Sequence, residues 1–292
     1  MTAAGAPLAV RITARDGRAL AGLLVTADSP RGALVVNAAT GLRREFYLRF
    51  AAYCAARGWH ALVYDYRGMG ASAGAGYAQE TARMSDWGLL DMPAALDLLA
   101  ARYPQLPLVT VGHSVGGQLV GCMPNEGRAR AHVMIATSTG YWRRQRPGFR
   151  GVTLLFFAAY GPLMLRRHGY VPRGVVWRGA PLPREVFLQW RRWCLSPARF
   201  GSALDPAMSD AAYASVRGPL LVWSFTDDPI STPTAVEALL AAYSGARIER
   251  RSTHPRDAGV RAIGHRGFFD ERHRESLWCA ALDWIDARCA AA

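Results

Sequence analysis

The sequence predicts an α/β fold in which helices cover both faces of a mostly parallel central sheet. Short apolar, β-branched runs alternate with longer amphipathic stretches over most of the 292 residues, as strands and helices do in such folds. Hydrophobic residues make up 51% of the chain, enough to bury a large core. The alternation stops between residues 138 and 216 and then resumes. We therefore expect one core formed by 1–137 and 217–292, with 138–216 inserted into it.

The core segments predict eight strands. Before the insertion we expect an antiparallel pair and then four more short strands, at 8–12, 19–26, 33–37, 59–64, 106–111 and 131–136. After the insertion, strands are expected at 219–225 and 247–252. Helices are expected at 43–57, 81–102, 233–243 and 271–288, with another beginning near 117. The insertion therefore follows the sixth strand.

The segment Gly112-His113-Ser114-Val115-Gly116 lies where the fifth strand ends and a helix begins. Glycines on either side of a serine let the backbone turn sharply, so that the hydroxyl stands above the sheet. The amide after the serine then points at a developing oxyanion. Such a pentapeptide also occurs in ordinary turns, but its place between strand and helix favours a nucleophilic Ser114 with the Val115 amide as an oxyanion donor.

Two later loops carry the partners that a serine nucleophile needs. Strand 219–225 runs into Thr226-Asp227-Asp228-Pro229-Ile230, which places carboxylates at a strand end. His265 lies in a glycine-flanked segment, Ile263-Gly264-His265-Arg266-Gly267, just before the last helix. A serine needs an adjacent base, and a carboxylate holds that base in the required tautomer. Where a serine nucleophile stands on such a turn, its partners follow it along the chain in the order serine, aspartate, histidine.

With these motifs the chain resembles the α/β-hydrolase superfamily. Within it, the chain is most similar to the serine aminopeptidase-like and monoglyceride-lipase-like branch, including a bacterial group of predicted hydrolases. The resemblance covers nearly the whole chain, including the turn Tyr64-Asp65-Tyr66-Arg67-Gly68-Met69-Gly70-Ala71-Ser72, which we expect to be structural. It implies an α/β-hydrolase fold with a helical cap over the active site at 138–216.

The resemblance also selects the acid of the triad. It places the acid directly before an apolar turn such as Pro-Ile, which favours Asp228, with Asp227 as the alternative. The predicted catalytic residues are therefore Ser114, Asp228 and His265. We expect His113 to support the site from beside the elbow.

A second oxyanion donor is implied in the loop after the third strand. The superfamily usually carries His-Gly there, whereas this chain has Asn37-Ala38. Because the donor is a backbone N–H, this replacement need not abolish function. Ala39 is the predicted donor and Thr40 is the alternative.

These residues predict a serine hydrolase that cleaves a carboxylic ester or related acyl bond of a small molecule through an acyl-enzyme. The sequence has no metal-ligand spacing, phosphate-binding loop or dinucleotide fingerprint, so we expect neither a metal nor a cofactor. Acyltransferases and peptidases use the same triad and are alternatives within enzymes. The alternative outside enzymes is a non-catalytic protein that has a hydrolase scaffold and uses it to bind an anionic surface.

All 35 basic residues are arginine, and they concentrate in the insertion. Between residues 138 and 200, Glu185 is the single acid, and the stretch carries +11 of the formal charge of +13. The twelve arginines are Arg143, Arg144, Arg146, Arg150, Arg166, Arg167, Arg173, Arg178, Arg184, Arg191, Arg192 and Arg199. We expect an anionic amphiphile or an anionic membrane surface as partner, or else a solvated face that aids solubility, and we expect no nucleic acid.

The insertion also contains an apolar run at 151–165, which by itself is too short to cross a bilayer. We expect it to form a cap helix packed on the main domain. A wall for an acyl chain or a membrane-contacting lid is the alternative. Four of the nine tryptophans lie in the insertion, and packing within the cap is their simplest role: Trp142, Trp177, Trp190 and Trp193.

The N-terminal residues and the cysteines predict the cellular compartment in which the protein is found. Residues 1–7 lack the basic start and apolar stretch of a secretory signal, which gives no reason to expect export. The cysteines are scattered and odd in number, which favours free thiols in a reducing compartment: Cys54, Cys122, Cys194, Cys279 and Cys289. We therefore expect a cytoplasmic protein.

Overall fold

The computed structural model describes residues 6–74, 76–197 and 201–290, and the strands in these ranges form one eight-stranded sheet. They are β1 (Leu8–Thr13), β2 (Ala19–Val25), β3 (Gly32–Asn37), β4 (Trp59–Tyr64), β5 (Leu108–His113), β6 (Ala131–Ile135), β7 (Pro219–Phe225) and β8 (Arg247–Thr253). Their order across the sheet is β1-β2-β4-β3-β5-β6-β7-β8. The pairs β1–β2 and β2–β4 are antiparallel, and the other pairs are parallel. The predicted mostly parallel sheet is confirmed.

The central strands are buried along their whole length, as a parallel sheet between two helix layers requires. Every residue of β3, β4, β5 and β6 is buried. The edge strand β8 is instead rich in arginine and only partly buried. The parallel strands end at one edge of the sheet, and the crevice beyond these ends is where open α/β sheets place their sites.

Helices follow the strands much as the periodicity predicts. They are α1 (Leu48–Ala56), α2 (Met84–Asp86), α3 (Met92–Arg102), α4 (Val115–Gln118), α5 (Pro147–Leu154), α6 (Gly161–His168), α7 (Arg184–Leu195), α8 (Asp210–Ser215), α9 (Pro233–Leu240) and α10 (Cys279–Cys289). A π-helical turn, Trp87–Asp91, joins α2 to α3. This helix begins at Met84 rather than at 81, because the Asp86 carboxylate accepts the backbone N–H of the extended Arg83 at 2.9 Å and caps the helix there.

The helix after the elbow is short. It continues from α4 only as a 3-10 turn, Leu119–Cys122, and then stops at Met123, whose backbone is extended with ψ of 117°. Proline at position 124 explains the stop, because the residue before a proline is disfavoured in helical conformation.

The insertion between β6 and β7 contains α5 to α8 and is here called the cap. A π-helical stretch, Leu155–Tyr160, joins α5 and α6 into one helix of 22 residues, Pro147–His168, here called the cap helix. Tryptophans pack within the cap, since the ring of Trp177 lies 5.2 Å from that of Phe156 and 5.6 Å from that of Trp190. Arg199 of the arginine cluster lies outside the described residues.

One side of the cap helix faces outwards. Phe156 and Phe157 are buried, but the side chains of Val152, Leu155 and Leu163 are 50%, 55% and 58% exposed. The helix is long and apolar enough to span a membrane: its most apolar 18-residue window has a mean hydropathy of 1.3, and only 28% of that window is buried.

The buried side of the helix packs on other residues of the insertion, since the rings of Phe156 and Phe157 both lie 4.9 to 5.8 Å from those of Phe187 and Trp190. Packing of this helix on the main domain stays a prediction. The helix is also longer than the apolar run that the sequence delimits.

Candidate active site

Ser114 stands on a sharp turn between β5 and α4. Its backbone has φ of 53° and ψ of −113°, a region that residues with a Cβ seldom adopt and that marks strained functional positions. A Cβ at position 112 would lie 2.5 Å from the Gly116 carbonyl oxygen, and a Cβ at position 116 would lie 2.2 Å from that of Asn37. Both glycines are therefore required for the chain to fold back on itself, as the pentapeptide predicts.

The structure brings together the three predicted catalytic side chains. His265 Nε2 lies 3.0 Å from Ser114 Oγ, and His265 Nδ1 lies 2.8 Å from Asp228 Oδ2. Asp228 is buried, whereas the ring of His265 is partly exposed. The distances suit a proton path from the serine hydroxyl to an imidazole that the carboxylate orients.

Asp228 is kept ionised by its surroundings. Burial raises the pKa of a carboxyl group, but the electrostatic attraction and hydrogen bond of His265, together with two backbone N–H groups, outweigh burial and hold the pKa of Asp228 below its usual value. The other oxygen, Oδ1, accepts the backbone N–H groups of Ile230 at 2.7 Å and Ser231 at 3.1 Å. Both oxygens of the Asp228 carboxylate are therefore held by hydrogen bonds.

Asp227, the alternative acid, forms hydrogen bonds with different partners. Its Oδ2 accepts the backbone N–H groups of Ile263 at 2.8 Å and Gly264 at 2.9 Å. These residues belong to the segment 262–267, here called the histidine loop. Asp227 thus holds the loop that carries His265 and does not bond the imidazole.

The predicted oxyanion donors lie at the ends of two neighbouring parallel strands. The Val115 amide begins α4, where a helix leaves its first N–H groups unpaired. The segment 37–41, here called the oxyanion loop, follows β3. In it, the Ala39 N–H donates to the Tyr47 hydroxyl at 2.8 Å. The Thr40 N–H has no partner among the described residues. The identity of the second donor stays a prediction.

Tyr47 and His113 extend this contact towards the histidine loop. The Tyr47 hydroxyl lies 2.9 Å from His113 Nδ1, and His113 Nε2 lies 2.8 Å from the backbone carbonyl oxygen of His265. Burial, and next the nearby charge of His265, lower the pKa of His113 to about 3, so its ring is neutral. The sequence predicts a supporting role for His113, but nothing in its pattern singles out Tyr47.

The turn over residues 65–72 has the structural role that was expected of it. The Asp65 carboxylate accepts the backbone N–H groups of Arg44 and Ala71, both at 2.9 Å, and the Ser72 hydroxyl donates to the Asp65 carbonyl at 2.7 Å. These bonds tie the end of β4 to the start of the helix that follows β3. Within the described ranges, no group of three or more His, Cys, Asp or Glu side chains is placed to hold a metal ion.

A cavity of about 360 Å³ adjoins the oxyanion loop, between residues 41–46 and the cap segment 173–181. Its lining includes Arg173, Arg178, Phe46 and Tyr77, together with Arg43 and Glu45, whose charges lie 3.7 Å apart. The Ala180 N–H donates to the Gly41 carbonyl at 2.8 Å and so fixes the cap segment on the oxyanion loop. The cavity is therefore both apolar and positively charged.

Comparisons with known proteins agree with this fold. Residues 28–170 match the family model described as serine aminopeptidase. An esterase of Pyrococcus furiosus aligns with 97% of this chain and 91% of its own, at 15% identity and a TM-score of 0.65. A soluble variant of monoglyceride lipase from Saccharomyces cerevisiae, in complex with a substrate analogue, aligns with 97% of this chain and 95% of its own, at 14% identity and a TM-score of 0.66.

A thermostable carboxyl esterase from Bacillus coagulans, in complex with glycerol, aligns with 98% of this chain and 99% of its own, at 14% identity and a TM-score of 0.62. No curated protein matches the sequence. Structural similarity at such low sequence identity shows a common fold, and proteins with one fold can have many different activities. The sheet, the family model over residues 28–170 and these structural neighbours agree, and the chain therefore has the α/β-hydrolase fold.

Proposed function

We propose that the protein is a serine hydrolase that cleaves carboxylic esters through Ser114, His265 and Asp228. The observation that carries the proposal is the unbroken pair of hydrogen bonds, 3.0 Å and 2.8 Å long, that joins the three side chains. The esterases and the monoglyceride lipase that share the fold support an ester as substrate. The substrate is a small molecule with an acyl group, and the chemistry needs no cofactor.

Acylation uses the triad as one unit. His265 Nε2 takes the proton of the Ser114 hydroxyl while the serine oxygen attacks the ester carbonyl carbon. Asp228 holds the imidazole in the tautomer that accepts this proton and stabilises the imidazolium that forms. The Val115 amide and a second amide of the oxyanion loop stabilise the negative oxygen of the tetrahedral intermediate. Thr40 is the better candidate for the second donor, because the Ala39 N–H is already bonded to the Tyr47 hydroxyl. His265 then returns the proton to the alcohol oxygen as the C–O bond breaks.

Deacylation repeats the same steps with water as the nucleophile. His265 takes a proton from water, which attacks the acyl carbon on Ser114, and the proton passes back to the serine oxygen as the acid leaves. An alcohol or thiol in place of water would make the protein an acyltransferase. An amide in place of the ester would make it a peptidase, the activity that the family model's description names.

The cap gives a reason to favour an anionic amphiphile or an anionic membrane surface as partner. Exposed apolar side chains lie on the cap helix, and two more, Val175 at 88% and Val176 at 39% exposed, lie in the segment that packs beside it. Arg166, Arg167 and Arg173 are exposed next to these apolar positions. Apolar residues rimmed by arginines suit an interface between acyl chains and anionic headgroups.

The cap's positive charge is largely uncompensated within the protein. Among the described residues, Arg184 is the one cap arginine within 4.0 Å of a carboxylate, that of Glu185 at 3.7 Å. Arg143 and Arg144 instead lie over the rings of Trp142 and Tyr141. Unpaired charge on one face attracts an oppositely charged surface at low ionic strength.

A cytoplasmic location remains our proposal, and the five thiols, all free, agree with a reducing compartment.

The proposal is tested with p-nitrophenyl esters of increasing acyl length, measured beside aminoacyl anilides and acyl-CoA thioesters. We expect ester turnover that Ser114→Ala and His265→Ala each reduce by about 10³-fold or more without loss of fold. The double variant should be little worse than either single one, because the two residues act together. Near-wild-type ester turnover by Ser114→Ala would overturn the proposal, and turnover of anilides alone would identify a peptidase.

A further inference from the structure

We propose that Tyr47 and His113 are positioning residues that hold the oxyanion loop and the histidine loop in register for catalysis. The two loops lie more than 200 positions apart in the chain, yet two buried side chains connect the Ala39 amide of one to the His265 backbone of the other. The inference rests on the proposed function, because it concerns the groups that the reaction uses. It adds two residues to the site that touch neither the substrate nor the reacting atoms.

The two groups at the ends of this connection, the His265 carbonyl and the Ala39 N–H, fix the direction of every hydrogen bond between them. The His265 carbonyl oxygen can only accept, so His113 must carry its proton on Nε2 and donate it there. Nδ1 of the neutral ring then has a lone pair, and the Tyr47 O–H donates to it. The Tyr47 oxygen in turn accepts the Ala39 N–H. Each polar group in the connection therefore has one definite role.

Packing leaves these side chains little freedom to move. Tyr47 is 1% exposed and His113 is fully buried. The ring of Phe269, which follows the histidine loop, lies 4.8 Å from that of Tyr47 and 4.9 Å from that of His113. A shift of either loop would strain this aromatic cluster or break a hydrogen bond that water does not reach.

Tyr47 differs from the other tyrosines that hold the oxyanion loop. The Tyr64 hydroxyl donates to the Asn37 side chain at 2.9 Å, and the Tyr66 hydroxyl donates to the Ala38 carbonyl at 3.3 Å. Three buried tyrosines thus hold three consecutive residues in a loop that lacks the usual His-Gly. Of these three hydroxyls, only that of Tyr47 also bonds His113, and through it the histidine loop.

The expected effect is on turnover more than on substrate binding. If the loops lose register, His265 Nε2 moves relative to Ser114 Oγ and to the oxyanion donors, and small misplacements of reacting groups are costly in rate. We expect Tyr47→Phe to lower kcat by roughly 10-fold to 100-fold while KM changes by less than about 2-fold. Affinity for a boronic acid that mimics the tetrahedral intermediate should fall in proportion to kcat/KM.

Tyr243→Phe is the matched control. Tyr243 is also 1% exposed. Its hydroxyl accepts the Gly121 N–H at 3.1 Å and lies within donating distance of two carbonyls of α4, Gln118 at 3.0 Å and Gly117 at 3.3 Å, with no bond to either loop. We expect a similar loss of thermal stability in both variants and a loss of turnover only in Tyr47→Phe. Equal kcat values for Tyr47→Phe and the wild type would overturn the proposal, as would equal kcat losses in the two variants.

A double-mutant cycle tests the connection itself. Because Tyr47 acts through His113, combining Tyr47→Phe with His113→Gln should cost no more in kcat than His113→Gln alone, whereas fully multiplicative losses would contradict the proposal. On the wild-type protein, ¹⁵N shifts of the His113 ring from pH 8 to pH 5 should report the neutral Nε2–H tautomer throughout, and an Nδ1–H tautomer would overturn it. A wild-type protein that turns over no acyl substrate would instead refute the proposed function.

Discussion

Asp227 and Asp228 are neighbours in the chain, but they hold different parts of the histidine loop. Asp228 Oδ2 lies 2.8 Å from the imidazole of His265, whereas Asp227 Oδ2 accepts the backbone N–H groups of Ile263 and Gly264. Adjacent residues at a strand end send their side chains in different directions, so one bonds the imidazole of His265 and the other bonds the backbone of the loop.

This division predicts unequal effects of the same substitution at the two positions. In Asp228→Asn, the side-chain amide would favour the wrong imidazole tautomer, and we expect kcat to fall by about 10⁴-fold. In Asp227→Asn, the amide oxygen can still accept a backbone N–H, and we expect a loss within about 10-fold together with a lower melting temperature. Steady-state kinetics of both variants on the same ester tests this difference. A larger loss of kcat in Asp227→Asn than in Asp228→Asn would reverse the assignment of the acid.

His113 predicts a dependence of stability on pH. Its pKa is lowered to about 3 in the folded protein by burial and by the charge of His265, whereas an unfolded histidine has a pKa of about 6.5. As pH falls below about 6.5, only the unfolded state gains this proton, so stability is complete above that pH and is lost towards pH 3. The loss at pH 5 should be about 2 kcal/mol.

Urea unfolding at several pH values measures this effect. The wild-type midpoint should fall between pH 7 and pH 4, and His113→Gln should lose much of that slope although it is less stable at pH 7. If both proteins lose stability equally with falling pH, His113 is not the neutral buried group that the structure describes.

The exposed face of the cap predicts binding to anionic membranes. We expect co-sedimentation with vesicles that contain phosphatidylserine at low salt, release as salt screens the charge, and weak binding to phosphatidylcholine alone. Arg166→Glu with Arg167→Glu, or Leu155→Ser with Leu163→Ser, should each weaken binding about 10-fold. Arg11→Glu with Arg15→Glu makes the same charge change at exposed positions outside the cap and should have much less effect.

The arginines of the cavity beside the oxyanion loop predict a preference among esters. Two p-nitrophenyl esters of similar acyl length are compared, one ending in a carboxylate and one in a methyl group. Replacing Arg173 and Arg178 by Gln should lower kcat/KM for the anionic ester about 10-fold relative to the neutral one, because two guanidinium partners are lost. An unchanged ratio would mean that the cavity's charge takes no part in recognition.

The parts of the site that the sequence predicts are those with a local signature. The elbow of Ser114 is visible because its glycines and its strand are contiguous, and the loops of Asp228 and His265 each follow a strand or precede a helix. The connection between Tyr47 and His113 joins residues 66 positions apart, and no periodicity encodes it. Likewise, an apolar run shows that a helix has an apolar face but not what covers that face, so the exposure of Leu155 became visible only in the fold.

The central claim is that Ser114 is a nucleophile activated by His265. A fluorophosphonate probe reacts covalently with such a serine, and mass spectrometry of the labelled protein identifies the modified residue. We predict one adduct, on Ser114, that is absent in Ser114→Ala and forms at least about 100-fold more slowly in His265→Ala. A folded wild-type protein that stays unlabelled, or that carries its adduct on another residue, would contradict the account.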